Sequence, residues 1–239
     1  MSKTPRFKRV ILKLSGEMMR GPEKFGLDAA AVQHIAGEIM GAHKLGVQVG
    51  VVIGGGNIFR GNSEAAKDMK RSVADQVGML ATVINALMLQ DALENHGVTT
   101  RTMTAIPMAD VAEPYIRRRA ERHLDKNRVV IFGGGTGNPF FTTDSAAALR
   151  ASELEADAVL KGTKVDGIYD KDPKKFPDAV FLPRVSFQQA LERDLKVMDA
   201  AALALCRDSN IPIIVYNLTA PGTTARVLVD ESVGTIVSA

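Results

Sequence analysis

The chain has 239 residues, of which 46% are hydrophobic and 24% are charged, and its formal net charge is +3. This composition fits a soluble globular protein with one large α/β domain or two small ones, and the charge is too small to indicate a nucleic-acid partner or a membrane surface. The single cysteine excludes an internal disulfide, and the four scattered histidines show no spacing typical of a structural metal site. No signal segment and no apolar run long enough to span a bilayer is evident, so we expect a cytoplasmic protein.

Apolar periodicity predicts strands that alternate with helices along the chain. Strands are predicted over residues 8–14, 47–53, 98–103, 128–132, 157–161, 211–216 and 234–237, and helices over 28–44, 72–94, 113–124, 145–154, from 186 onward and over 197–207. Such alternation predicts an α/β fold with a mainly parallel sheet covered on both faces. The irregular stretch 162–183 is long for a loop inside a compact domain, so it is expected to be functional or to mark a boundary between two lobes.

A glycine-rich segment, GGGTGNPFFTTD over residues 133–144, stands between a predicted strand and a predicted helix. Glycines let the backbone approach a ligand closely and expose its N–H groups. Thr143 or Asp144 can cap the following helix, whose N-terminus favours an anion. The segment therefore predicts a phosphate site, with a glycine-rich connection that binds nothing as the alternative.

Two further segments favour a phosphate site. The sequence GGGNIFRG over residues 54–61 follows another apolar run and carries Arg60, which can clamp a phosphate with two hydrogen bonds. Lys13 lies inside the apolar run 10–14, and a buried lysine is costly unless an anion or a carboxylate meets it. The alternative for Lys13 is the exposed side of an edge strand. The chain has no GxxxxGK[ST] motif and neither glycine loop matches GxGxxG, so an ordinary P-loop kinase is excluded and a Rossmann site is not favoured.

Four segments together resemble those of the bacterial uridylate kinases, a family of the amino acid kinase superfamily. They are KLSG at 13–16, GGGN at 54–57 with the Arg60–Gly61 pair, TGNPFFTTD at 136–144 and KGTKVDG at 161–167. The third is the most specific, whereas the lysine and triple-glycine motifs are shared with carbamate, aspartate and acetylglutamate kinases. The resemblance covers nearly the whole chain and implies a single domain over 1–239, a three-layer αβα sandwich with a central sheet of about eight strands, and a homohexamer.

The resemblance also implies an activity, the transfer of the γ-phosphoryl group of ATP to UMP with Mg²⁺ accompanying ATP, in pyrimidine nucleotide biosynthesis. It implies catalytic roles for Lys13, Asp144 and Arg60, with Asp144 organising the lysines and magnesium but no protein residue assigned as a direct metal ligand. The implied ATP-binding residues are Lys13, Leu14, Ser15, Gly16, Gly56, Arg60, Thr163, Tyr169 and Asp172. The implied UMP-binding residues are Gly55, Asp75, Thr136, Gly137, Asn138, Pro139, Phe140, Phe141, Thr142 and Thr143.

Regulation and assembly are further implications of the resemblance. The segment formed by Gly21, Pro22, Glu23, Lys24, Phe25 and Gly26 matches a region linked to the response to GTP. Gln90 and Glu94 stand where GTP-activated relatives tend to carry basic residues, which argues against activation by GTP, and inhibition by UTP in the UMP pocket is expected. The apolar stripe of the long helix 72–94 is a candidate subunit contact, with core packing as the alternative.

Two other functions compete with UMP phosphorylation. A superfamily relative that makes an acyl phosphate from an amino acid should lack the TGNPFFTTD segment. A nucleotide sensor without catalytic activity should have lost Lys13 or Asp144, and this chain carries both. Without the resemblance, Asp75 would be interpreted as a solvated helix residue, although a carboxylate is also a suitable partner for ribose hydroxyls.

Overall fold

The computed structural model describes residues 4–61 and 66–239. Its strands are β1 (Arg9–Leu14), β2 (Gln48–Ile53), β3 (Thr100–Thr104), β4 (Glu113–Pro114), β5 (Val129–Gly133), β6 (Ala158–Thr163), β7 (Ile168–Tyr169), β8 (Phe181–Leu182), β9 (Arg184–Ser186), β10 (Ile213–Asn217) and β11 (Thr235–Ser238). Its α-helices are α1 (Ala29–Lys44), α2 (Arg71–Glu94), α3 (Arg117–Asp125), α4 (Thr143–Glu153), α5 (Phe187–Glu192), α6 (Ala200–Asp208) and α7 (Thr223–Val227), and a 3₁₀ helix covers Gly16–Arg20.

Within the described residues, nine strands form one sheet in the order β4-β3-β5-β2-β1-β6-β10-β11-β9. All neighbouring pairs are parallel except β10 and β11, and β7 and β8 form a separate antiparallel pair. The predicted α/β sandwich with a mainly parallel central sheet is confirmed. The single-domain interpretation, and a lobe boundary near 162–183, remain predictions.

The core has one layer on each face of the sheet, because alternate residues of a strand point to opposite faces. In β1, Val10, Leu12 and Leu14 pack in the cluster that contains α1, whereas Ile11 packs in the cluster on the other face, which contains the alanines of α4. Lys13 shares the side of Ile11. The register of the central strand therefore directs this lysine toward α4.

Several predicted boundaries are wrong for physical reasons. The helix predicted from Glu113 starts at Arg117, because Glu113 and Pro114 pair with β3 as a two-residue edge strand. The helix predicted from Val197 starts at Ala200, since the Asp199 side chain caps it. The short elements β4, β7, β8, β9, α7 and the 3₁₀ helix were not predicted, because segments of two to five residues carry too few side chains to show a period.

The apolar stripe of α2 faces outward. Of its residues, Val73, Leu80 and Ile84 are 43–47% exposed and Val77 and Leu87 are half-buried, while a different face, which includes Leu89, is buried against the sheet. Core packing is therefore the wrong explanation for the stripe. By length and composition α2 is also apolar enough to cross a membrane, contrary to our expectation from the sequence, but one such helix is weak evidence, since core helices pass the same test.

Candidate active site

Two lysines and one aspartate form a buried cluster at the carboxyl ends of two neighbouring strands. Lys13 of β1 and Lys161 of β6 are direct partners in the parallel register. The Lys13 Nζ lies 2.7 Å from Asp144 Oδ1, and the Lys161 Nζ lies 3.0 Å from Asp144 Oδ2. Lys13 is only 8% exposed in a central strand, so the edge-strand alternative is wrong and the carboxylate required by a buried lysine is Asp144.

The cluster carries two potential positive charges against one negative charge. Burial alone would raise the pKa of Asp144, but the ammonium groups of Lys13 and Lys161 outweigh it and hold that pKa below its ordinary value. Burial lowers the pKa of Lys161. The carboxylate of Asp144 partly counteracts this effect, whereas the ammonium group of Lys13 lowers the pKa further. An excess of positive charge in a buried place favours an anionic ligand.

The N-terminus of α4 is held by a hydrogen-bond network around Asp199. Thr142 is the N-cap and accepts from the backbone N–H of Asp144 and of Ser145, so the prediction that Thr143 or Asp144 caps this helix is wrong. The Thr142 hydroxyl and the Ser145 hydroxyl both donate to Asp199. Asp199 also caps α6 by accepting from the Ala202 N–H at 2.8 Å. The two helix N-termini are thereby tied together beside Asp144.

Lys161 and Asp199 were not assigned roles from the sequence. Lys161 follows a short apolar run, 158–160, and precedes Gly162, which repeats the pattern of Lys13 before Ser15 and Gly16 and was a usable signal. It also donates to the Val197 carbonyl oxygen. Asp199 offered no signal beyond its position before an alanine run, because its partners are more than fifty residues away in sequence.

The glycine loop after β2 is packed too closely for larger residues. A Cβ on Gly16 would lie 2.5 Å from the Gly54 carbonyl oxygen, and one on Gly55 would lie 2.7 Å from the Gly78 carbonyl oxygen. A pair of buried side-chain amides holds the loop: Asn85 donates to the Gly54 carbonyl oxygen at 2.7 Å and exchanges hydrogen bonds with Asn57. Gly16 and Gly55 are therefore needed for close approach of the backbone.

The other predicted phosphate residues surround this loop. Ser15 caps the 3₁₀ helix by accepting from the Glu17 N–H. Arg60 donates through Nε to the Gly56 carbonyl oxygen at 3.0 Å and forms an ion pair with Glu17. Gly26 hydrogen-bonds to Asn57 through both its N–H and its carbonyl group, which connects the predicted effector segment 21–26 to the glycine loop.

A cavity of about 300 Å³ lies between α2 and the glycine-rich segment 133–144. Seven of the predicted UMP-binding residues line it: Gly55, Asp75, Thr136, Asn138, Phe141, Thr142 and Thr143. Gly137, Pro139 and Phe140 do not line it, but the Phe140 N–H donates to Asp75 Oδ2 at 2.8 Å. Phe140 and Phe141 are 68% and 55% exposed, so neither belongs to the hydrophobic core.

A second cavity, of about 610 Å³, lies beside the β7–β8 pair. Two of the residues predicted for the nucleoside end of ATP, Tyr169 and Asp172, line it, together with the basic side chains of Lys171, Lys174, Lys175, Arg193 and Lys196. Thr163 lies outside this lining and bonds to Val165 and Tyr216 carbonyl oxygens. The lysine–aspartate cluster adjoins residues of both cavities: Asp144 follows Thr143 of the first, and Lys161 donates to the carbonyl oxygen of Val197, which follows Lys196 of the second.

Comparison with known proteins places this site in a family. The model of the amino acid kinase family matches residues 8–217. A uridylate kinase from Zymomonas mobilis subsp. mobilis is 60% identical over 237 residues, which cover 99% of this chain and 98% of that protein. The crystal structure of UMP kinase from Bacillus anthracis has a TM-score of 0.94 at 42% identity, covering 97% of this chain and 96% of that one. UMP kinase from Ureaplasma parvum has a TM-score of 0.91 at 40% identity over 100% of both chains. The chain therefore belongs to the amino acid kinase family and, within it, to the uridylate kinases.

Proposed function

We propose that this protein transfers the γ-phosphoryl group of ATP to UMP, giving UDP and ADP in pyrimidine nucleotide biosynthesis. The observation that carries the proposal is the buried cluster of Lys13, Asp144 and Lys161, which adjoins residues of two cavities. Phosphoryl transfer needs positive charge fixed where two anions meet, because catalysis is mainly positioning and electrostatic stabilisation. The full-length match to uridylate kinases supports UMP as the acceptor.

Each substrate has a cavity of suitable chemistry. UMP would occupy the cavity of about 300 Å³, with its ribose near Asp75, and the segment 136–143 around its base. The nucleoside end of ATP would occupy the cavity of about 610 Å³ near Tyr169 and Asp172. The ATP phosphates would then reach the segment 13–16, Gly56 and Arg60.

The acceptor needs no strong general base in this arrangement. A phosphomonoester has a second pKa of about 6, so the UMP phosphate is already largely dianionic at neutral pH. The difficulty is the repulsion between two anions and the charge that spreads over the transferred group. Lys13 and Lys161 would neutralise this charge, while Asp144 holds both ammonium groups in place.

Magnesium would enter with ATP. Within the described residues no group of three or more His, Cys, Asp or Glu side chains could hold a metal ion. Mg²⁺ bound to nucleotides commonly takes one or two carboxylates, with phosphate and water oxygens as the other ligands. Asp144 fits that limited role, because its buried Oδ1 contacts the Lys13 ammonium without accepting a hydrogen bond of good geometry. The ion would supply further neutralisation of the phosphates.

Assembly, regulation and location are further parts of the proposal. The exposed apolar stripe of α2 is the surface that a homohexamer would cover. UTP would inhibit by occupying the UMP cavity. Glu94 accepts from the Thr100 hydroxyl at 2.6 Å, and an acidic group at this place disfavours an anionic activator such as GTP. We propose a cytoplasmic location, with no membrane and no nucleic-acid partner.

An ADP-release assay with UMP, CMP, dUMP and AMP as acceptors tests the proposed function. We expect kcat/KM to be highest for UMP, and lower by roughly 10⁴-fold for a nucleotide whose base leaves polar groups of the site unpaired. If CMP or AMP is used about as well as UMP, the assignment of UMP is wrong even though the chain is a kinase.

A further inference from the structure

Arg71 lies at the first position of α2, where two neighbouring cavities meet. It lines the cavity of about 300 Å³ that contains Asp75 and also a neighbouring cavity of about 480 Å³ that contains Gly56 and Arg60. Neither the motifs of the sequence nor the proposed chemistry gives it a role. Its position beside the acceptor, rather than its charge alone, makes it a candidate functional residue.

The contacts of Arg71 fix the orientation of one carboxylate. The Arg71 Nε lies 2.9 Å from both carboxylate oxygens of Asp75, one helical turn further along α2. The Phe140 N–H donates to Oδ2 of the same carboxylate at 2.8 Å. A carboxylate offers about four lone-pair sites for hydrogen bonds. The three protein contacts therefore leave Asp75, which lines the cavity, able to accept a further hydrogen bond.

Stability does not explain this arrangement. The Arg71 side chain is 63% exposed, and an exposed i,i+4 ion pair contributes little to folding. Its guanidinium carbon lies 5.9 Å from the centre of the Phe140 ring, near the outer limit for a cation–π contact. A bound nucleotide would cover the pair, and the orientation of Asp75 would then affect binding.

We propose that Arg71 is a positioning residue that orients the Asp75 carboxylate to accept a hydrogen bond from the ribose 2′-hydroxyl of the acceptor nucleotide. The inference rests on the proposed function, because it needs UMP in the cavity beside α2. Arg71 thereby contributes to the choice of a ribonucleotide over a 2′-deoxyribonucleotide, since only the former offers a 2′-hydroxyl to the oriented carboxylate.

The test compares UMP with 2′-deoxy-UMP in the wild type and in Arg71→Gln, at saturating ATP. Loss of one hydrogen bond to a charged group corresponds to about a tenfold change in binding. We expect kcat/KM to fall about tenfold for UMP, through KM, and less than about threefold for 2′-deoxy-UMP. The KM for ATP stays unchanged. In an Asp75→Asn background, Arg71→Gln has no further effect on UMP, because the two residues act through one contact.

Arg118→Gln is the matched control, since Arg118 is exposed on α3 away from both cavities, and it should behave as the wild type. If Arg71→Gln lowers kcat/KM equally for UMP and 2′-deoxy-UMP, the inference is overturned, because Arg71 would then act on the phosphate or on the glycine-rich segment 133–144. Unchanged kinetics in Arg71→Gln, or a wild type that uses both acceptors equally, would also overturn it. A wild type that does not phosphorylate UMP at all would instead refute the proposed function.

Discussion

Replacing Asp144 with asparagine tests the lysine–aspartate cluster directly. The side chain keeps its shape, and Thr142 still caps α4, but the two lysines lose the carboxylate at 2.7 and 3.0 Å. At an effective dielectric constant of about 20, each contact represents about 5–6 kcal/mol of Coulomb attraction, most of it offset by desolvation. Removing one partner of a buried ion pair costs about 3–5 kcal/mol.

We therefore expect Asp144→Asn to fold, with an unfolding free energy lower by about 3 kcal/mol and a Tm lower by about 6–12 °C. The kcat should fall by about 10³-fold with a small change in KM, because the two ammonium groups are no longer held where charge develops. Steady-state kinetics and thermal unfolding on the same sample separate the two effects. Asp157→Asn is the matched control, since Asp157 binds backbone N–H groups at the opposite end of β1.

The stability deficit of Asp144→Asn should also depend on pH. Asp144 raises the pKa of Lys161 against the lowering effect of burial, so the variant's Lys161 has a pKa further below the ordinary value of 10.5. At a pH between the pKa of Lys161 in the folded variant and its higher pKa in the unfolded chain, the unfolded chain binds more protons. The free energy of unfolding of the variant therefore rises with pH in this range. The difference in unfolding free energy between the wild type and Asp144→Asn is thus largest near neutral pH and becomes smaller toward pH 10. A variant with wild-type kcat and Tm would refute the role of the cluster.

Three other variants test separate parts of the account. Lys13→Ala should lower kcat by at least about 10²-fold in steady-state assays and leave the circular dichroism spectrum unchanged; near wild-type kcat would contradict its catalytic role. Asn85→Leu removes the donor to the Gly54 carbonyl oxygen and to Asn57 Oδ1, so thermal unfolding should show a loss of about 2 kcal/mol, and an unchanged Tm would contradict the importance of the amide pair. Leu80→Asp places a charge in the exposed stripe of α2 and should reduce the particle mass measured by light scattering; an unchanged mass would mean that the stripe is not a subunit contact.

The sequence predicts those parts of the fold and site that depend on neighbouring residues. Alternating apolar runs and glycines identify the parallel sheet and both loops at its carboxyl edge, because strand, loop and helix signals lie within ten residues of one another. Lys13 is also identifiable locally, since a lysine in an apolar run requires an anionic partner. The resemblance to a family supplied the substrates and residue roles that no local pattern carries.

Local sequence patterns do not predict contacts between segments that are distant in the chain. Lys161 reaches Asp144 only because the sheet order places β1 beside β6, and Asp199 binds Thr142 and Ser145 only because α4 packs against α6. The period of the α2 stripe was predicted but its exposure was not, because periodicity does not distinguish a core face from an exposed one. The cap of α4 was misplaced because three consecutive residues, from 142 to 144, can all act as caps.

Transfer of label from [γ-³²P]ATP tests the central claim most directly. The wild-type protein is incubated with labelled ATP, Mg²⁺ and UMP, and the products are separated by chromatography. We predict that the label appears in UDP, and that it appears there at least about 10²-fold more slowly with Lys13→Ala. Label released as inorganic phosphate, or label that remains in ATP, would contradict the claim that this cluster transfers a phosphoryl group to UMP.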